Sequence, residues 1–220
     1  MKLKNVFKVF VLDAAFILGL LLVFAFLRKK ITFYLSMLAS YQGSLQALQP
    51  EKDLVAVQEV LAGLSTAADK TMWLLILAPI VLFLLYVVLQ GLSFWAVHPR
   101  SGYLWKFALA SLPAYSFLVL SLYYLWLSRV TIVIAVLLSY LTFLFYLQPG
   151  WKGWKRLLRK MTMIAVFLGY AVLGFFAFGF FLLFYLETLI LEYNYGFLAL
   201  GMMFLAGLSG YKVWMTEKFG

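Results

Sequence analysis

Six apolar runs, each long enough to cross a bilayer, constrain this chain more than any other feature. A helix rises 1.5 Å per residue and the hydrocarbon layer is about 30 Å thick, so a span needs roughly 17–25 apolar residues. Runs of that kind cover residues 9–27, 72–97, 103–127, 130–147, 161–186 and 195–214. The second and fifth exceed the minimum, and tilt accommodates the excess. The pattern predicts an all-α integral membrane fold, a six-helix transmembrane bundle forming one domain over residues 1–220.

Composition agrees. Apolar residues make up 66% and charged residues 12% of the chain, against about half and about a quarter in a soluble domain. One water-surrounded core of this size cannot bury so much apolar surface. There is no cysteine, which excludes disulfides, thiolate metal sites and cysteine nucleophiles and leaves the redox compartment open. Lys2, Lys4 and Lys8 before the first run resemble a secretory signal. No small-residue cleavage site closes that run, and Arg28, Lys29 and Lys30 follow it, so an uncleaved first span is expected.

Lysine and arginine set the direction. With both termini inside, the cytoplasmic set is Lys2, Lys4, Lys8, Arg100, Lys106, Lys152, Lys155, Arg156, Arg159, Lys160, Lys212 and Lys218, twelve cations against the single acid Glu217. The outer side holds six cations, Arg28–Lys30 among them, and six acids. Cytoplasmic segments carry the cationic excess, so this N-in, C-in arrangement in the cell membrane is expected. The net charge of +10 is then a topology signal, and no nucleic-acid partner is expected. Trp73, Trp95, Trp105, Trp126 and Trp214 fall near span ends and Trp151 and Trp154 in a loop. Indole favours the headgroup level, so these seven are read as interfacial anchors.

Two segments stand outside the spans. Residues 31–70 repeat apolar positions at Ile31, Tyr34, Leu35, Leu38, Tyr41, Leu45 and Leu48, and again at Leu54, Val57, Val60, Leu61 and Leu64. That spacing predicts two amphipathic helices broken at Pro50, with Asp53 as N-cap of the second. They form an extracytoplasmic helical hairpin continuing the first two spans, or lie along the outer leaflet. Either way, 31–70 is the place for a protein partner. The second segment, WKGWKRLLRKM, puts Trp151, Trp154, Leu157, Leu158 and Met161 on one helical face. Lys152, Lys155, Arg156, Arg159 and Lys160 take the other, as an interfacial helix meeting anionic lipid headgroups requires.

Charge inside a span is costly and marks a bundle interior or water. Asp13 is the acid so placed, and Lys106 lies at similar depth, so an Asp13–Lys106 ion pair is expected, or else Asp13 reaches headgroup water or pairs with Lys8. Gln90, Ser93, Ser111, Ser116, Ser121, Ser139 and Thr142 suit interhelical or backbone hydrogen bonds. Glycines at 169, 174, 179, 201, 207 and 210 predict close packing of the last two spans. His98 has no carboxylate beside it to complete a metal site.

No HExxH, GxSxG or Walker pattern occurs, so neither catalytic residues, cofactor nor metal is expected. The expected class is a non-catalytic multi-pass component, a scaffold, assembly or accessory subunit. A small-solute transporter or channel is the alternative.

Overall fold

The computed structural model describes residues 3–47, 54–97, 99–123, 129–148, 151–189 and 194–219. All regular elements among them are helices: α1 Leu3–Ala47, α2 Leu54–Trp95, α3 Tyr103–Tyr123, α4 Arg129–Leu147, α5 Trp151–Leu158, α6 Thr162–Thr188 and α7 Tyr195–Phe219. Six of them are long and apolar enough to cross a membrane. Pro50, Asp53, His98, Trp126, Gly150 and Glu192 lie outside the described residues, as do the side chains of Leu45, Leu54, Trp151 and Lys152. The third run was expected to reach residue 127; the described helix ends at Tyr123.

Contacts divide the chain into two units, Met1–Gly19 with Phe83–Gly220, and Leu20–Leu82. In the larger unit the core gathers where helix ends meet. Phe94 closes α2, Tyr103 and Phe107 open α3, Phe143, Leu144 and Leu147 close α4, Met163 and Val166 open α6, and Met215 lies near the end of α7. Leu157 of α5 joins them, and Val9, Val97 and Val213 form a smaller cluster. Away from these ends, side chains such as Leu118, Val133 and Phe175 point outward. Helices with so little buried surface need an apolar surrounding, which a bilayer supplies.

The turn into α3 depends on Gly102, whose φ of 67° lies in the left-handed region that a side chain disfavours. It lets Arg100 accept a hydrogen bond from the Tyr103 amide at 3.3 Å and sets Tyr103 into the core.

The last two spans pack as an antiparallel pair. Tyr211 Oη donates to the Val166 carbonyl at 3.1 Å, and the rings of Phe176, Phe180 and Phe204 stack at centroid distances of 5.2–6.2 Å. Gly169 and Gly201 are close approaches: a β-carbon would meet Tyr211 Oη at 2.9 Å and the Phe181 ring at 3.1 Å, respectively. Gly174, Gly179 and Gly210 face open space instead, so only part of the small-residue stripe is used for packing.

The smaller unit holds the later part of α1 and the earlier part of α2. The Tyr41 ring lies so close to Gly63 that a β-carbon there would stand 2.6 Å from the ring. Ala67 is buried, while Phe33, Leu35, Val55 and Leu61 remain exposed.

Leucine at Gly201 overpacks the α6–α7 seam, and the expected loss is about 1–3 kcal/mol. Gly174→Leu, in open space, should stay within about 0.5 kcal/mol of the parent. Thermal unfolding of both variants in detergent checks this; equal losses would contradict the packing.

Candidate functional site

A carboxylate and an ammonium are buried together where α1, α2 and α7 meet. Asp13 is the contribution of α1. Gln90 and Ser93 are three residues apart on α2, and Ser209 and Lys212 three apart on α7. That spacing brings two side chains onto one helical face, so each helix presents a polar pair to Asp13. Asp13 is 1% exposed and Lys212 is 0% exposed.

The geometry is complete for both charges. Lys212 Nζ donates to Asp13 Oδ1 at 2.6 Å, to Gln90 Oε1 at 2.8 Å and to Ser93 Oγ at 3.0 Å. An ammonium has three N–H bonds, and all three are used. Asp13 Oδ1 also accepts from Ser93 Oγ at 2.9 Å and from Gln90 Nε2 at 3.2 Å, and its Oδ2 accepts from Ser209 Oγ at 3.0 Å. The Phe94 ring, with its centroid 4.9 Å from Nζ, adds a cation–π contact. Thr216 Oγ1 donates to the Lys212 carbonyl at 2.7 Å, a backbone bond within α7.

Each buried charge in this arrangement therefore meets its complement. Breaking a buried pair by removing one partner costs about 3–5 kcal/mol, because the remaining charge is uncompensated. Among the described residues no three of His, Cys, Asp and Glu gather as metal ligands.

A second polar set fixes α2, α3 and α4. Tyr146 Oη lies 2.7 Å from Tyr86 Oη and 2.8 Å from Ser111 Oγ. Tyr103 Oη donates to the Tyr146 carbonyl at 2.8 Å, and Thr142 Oγ1 reaches the Ala110 carbonyl at 3.1 Å. The Phe107 and Tyr146 rings stack with centroids 4.1 Å apart. Ser111, Ser121 and Thr142 also bond the carbonyl one turn back, at 2.7, 2.7 and 2.8 Å.

The expected Asp13–Lys106 pair is corrected by this geometry. Lys106 is exposed, and Asp13 takes its counter-charge from Lys212. Lys106 lies on the turn of α3 that begins at Tyr103, and Tyr103 and Phe107 are the side chains this turn commits to the core. Its place near the end of the last run puts Lys212 among the expected cytoplasmic cations, while the Ser209 and Lys212 spacing in an otherwise apolar run is the signal for its inward face.

The other singled-out residues divide. Trp73, Trp95, Trp105 and Trp214 keep 62%, 39%, 69% and 38% of their surface exposed. Trp154 instead packs on the core beside Phe145, with ring centroids 5.6 Å apart. On α5 and the turn after it, Lys155, Arg156, Arg159 and Lys160 are exposed. Lys160 Nζ also sits 5.9 Å from the Phe219 ring centroid. Leu157 of the expected apolar face is buried, but Met161 is exposed.

Ser93 both accepts from Lys212 and donates to Asp13, so Ser93→Ala should cost about 1–3 kcal/mol by leaving buried partners unsatisfied. Ser209→Ala removes a single bond and should cost less, while Lys106→Gln should leave stability unchanged. Unfolding midpoints in detergent check the order; a Lys106 effect equal to that of Ser93 would contradict it. No known protein family, curated protein or solved structure matches this chain.

Proposed function

We propose that this protein is a non-catalytic multi-pass membrane component, a scaffold, assembly or accessory subunit that engages a protein partner through residues 31–70. The observation that carries the reading is the length of α1 and α2, continuous helices of 45 and 42 residues. At 1.5 Å per residue each is over about 60 Å long, roughly twice the hydrocarbon thickness. About half of each helix therefore extends beyond the lipid core. Arg28–Lys30 and Asp69–Lys70 mark where each leaves it. Phe33, Leu35, Val55 and Leu61 in these arms are exposed, and apolar residues exposed together outside lipid suit a protein contact.

Both termini lie inside in this reading. With Lys212 buried, eleven cations remain on the cytoplasmic side against six outside, still the bias that orients spans. The exposed cations Lys155, Arg156, Arg159 and Lys160 meet anionic headgroups on that face.

The buried pair also favours one alternative, since charge within spans marks the routes of transporters and channels. Its saturated hydrogen bonding supports the structural role instead.

The two readings separate in one set of experiments. Reporter tags within 31–70 and at Gly150 should be accessible from opposite sides of the membrane. Leu35→Glu combined with Leu61→Glu should abolish crosslinking to a stoichiometric partner in native membranes while the protein stays monodisperse. Solute flux into liposomes that Lys212→Met abolishes would overturn the scaffold reading in favour of the transporter.

A further inference from the structure

The outer faces of the helices that hold the buried pair enclose a groove of about 460 Å³. Its walls are Phe7 and Val11 of α1 and Leu92, Trp95 and Ala96 of α2, with Lys8 the one cation lining it. That volume falls within the roughly 300–1,000 Å³ of small-molecule sites. The lining is apolar apart from Lys8, so the hydrogen-bonding partners that a polar solute needs are missing along the walls.

The charge at the rim is organised as well. Lys4 and Lys8 are four residues apart on α1 and both exposed, which puts two cations on one helical face. Leu3, Phe7 and Val11 form a parallel exposed apolar stripe. A hydrocarbon slot beside a pair of ammonium groups is complementary to an amphiphile with an anionic head. Trp95, 39% exposed at the end of α2, lines the same groove, and an indole favours the headgroup level.

We propose that this groove binds one anionic membrane lipid, its hydrocarbon chain between α1 and α2 and its phosphate at Lys8 and Lys4. The inference rests on the membrane-spanning reading and assigns a site distinct from the cations of α5. Leu12 and Leu92 are the chain neighbours of Asp13 and Ser93, and both line the groove. A chain seated there presses α1 and α2 together behind the ion pair, so occupancy stabilises the folded protein by mass action.

Native mass spectrometry of the full-length protein tests this, with phosphatidylglycerol or phosphatidylcholine added to the detergent. One phosphatidylglycerol should be retained in preference to phosphatidylcholine and should raise the unfolding temperature. Lys8→Gln should weaken that preference about five-fold, and Lys4→Gln with Lys8→Gln about thirty-fold. Ala96→Phe, which fills the slot, should reduce retention of both lipids. Equal retention of the two lipids, or no effect of the lysine changes, would overturn the proposal. So would a groove filled by a second copy, seen as a lipid-free dimer that Ala96→Phe dissociates. If Ala96→Phe fails to fold, the lysine variants decide alone. A chain that stays soluble without detergent would instead overturn the membrane reading itself.

Discussion

An aspartate and a lysine facing one another at 2.6 Å, both shielded from solvent, oblige the surrounding helices to sit where they do. Neither charge tolerates lipid alone. A cation or carboxylate at the centre of a span costs about 2.5–3.5 kcal/mol even by the mildest scale. Asp13 on α1 therefore requires α7 beside it, and Lys212 requires α1. Gln90 and Ser93 draw in α2, since each bonds both charges. Three helices far apart in sequence are specified as neighbours by five side chains. An apolar replacement of the pair need not lower stability. What the pair contributes is discrimination, because in lipid apolar helix faces distinguish poorly between partners.

The rest of the larger unit builds outward from that end. Phe94 touches the ammonium and also the ring of Tyr146, 5.3 Å away, so the ionic junction passes directly into the aromatic core. Tyr146 then ties α4 to α2 and α3 through its hydroxyl, its ring and its carbonyl. Gln148 Nε2 donates to the Phe219 carbonyl at 2.9 Å, joining the end of α4 to the end of α7. The polar bonds concentrate where the buried aromatic residues are, and elsewhere α6 and α7 rely on stacked phenylalanines and a close glycine contact.

Much of the architecture was legible in the residues because lipid imposes a simple rule of length and hydropathy. Asp13 stood out as an acid within an apolar run, and Gln90 and Ser93 as hydrogen-bonding groups on α2. Its true partner was harder to see. Lys212 lies two residues before Trp214 at the end of the last run, where a lysine ordinarily extends to the headgroups. Lys106 lies at comparable depth, so depth alone does not choose between them. The choice is made by helix rotation: Tyr103 and Phe107 turn their side of α3 into the core and leave Lys106 outside, while Ser209 and Lys212 share the inward face of α7. For Trp154 the spacing gives a helical face, and tertiary packing adds the contact with Phe145 that spacing alone does not specify.

The account stands most directly on a double-mutant cycle between Asp13→Leu and Lys212→Met, measured as unfolding free energy in detergent. Each single change should cost about 3–5 kcal/mol, because it strands the opposite charge. The double variant should be more stable than either single one, since no buried charge remains. Losses that simply add would mean the two side chains act independently, and the charge pair would no longer explain why α1, α2 and α7 meet.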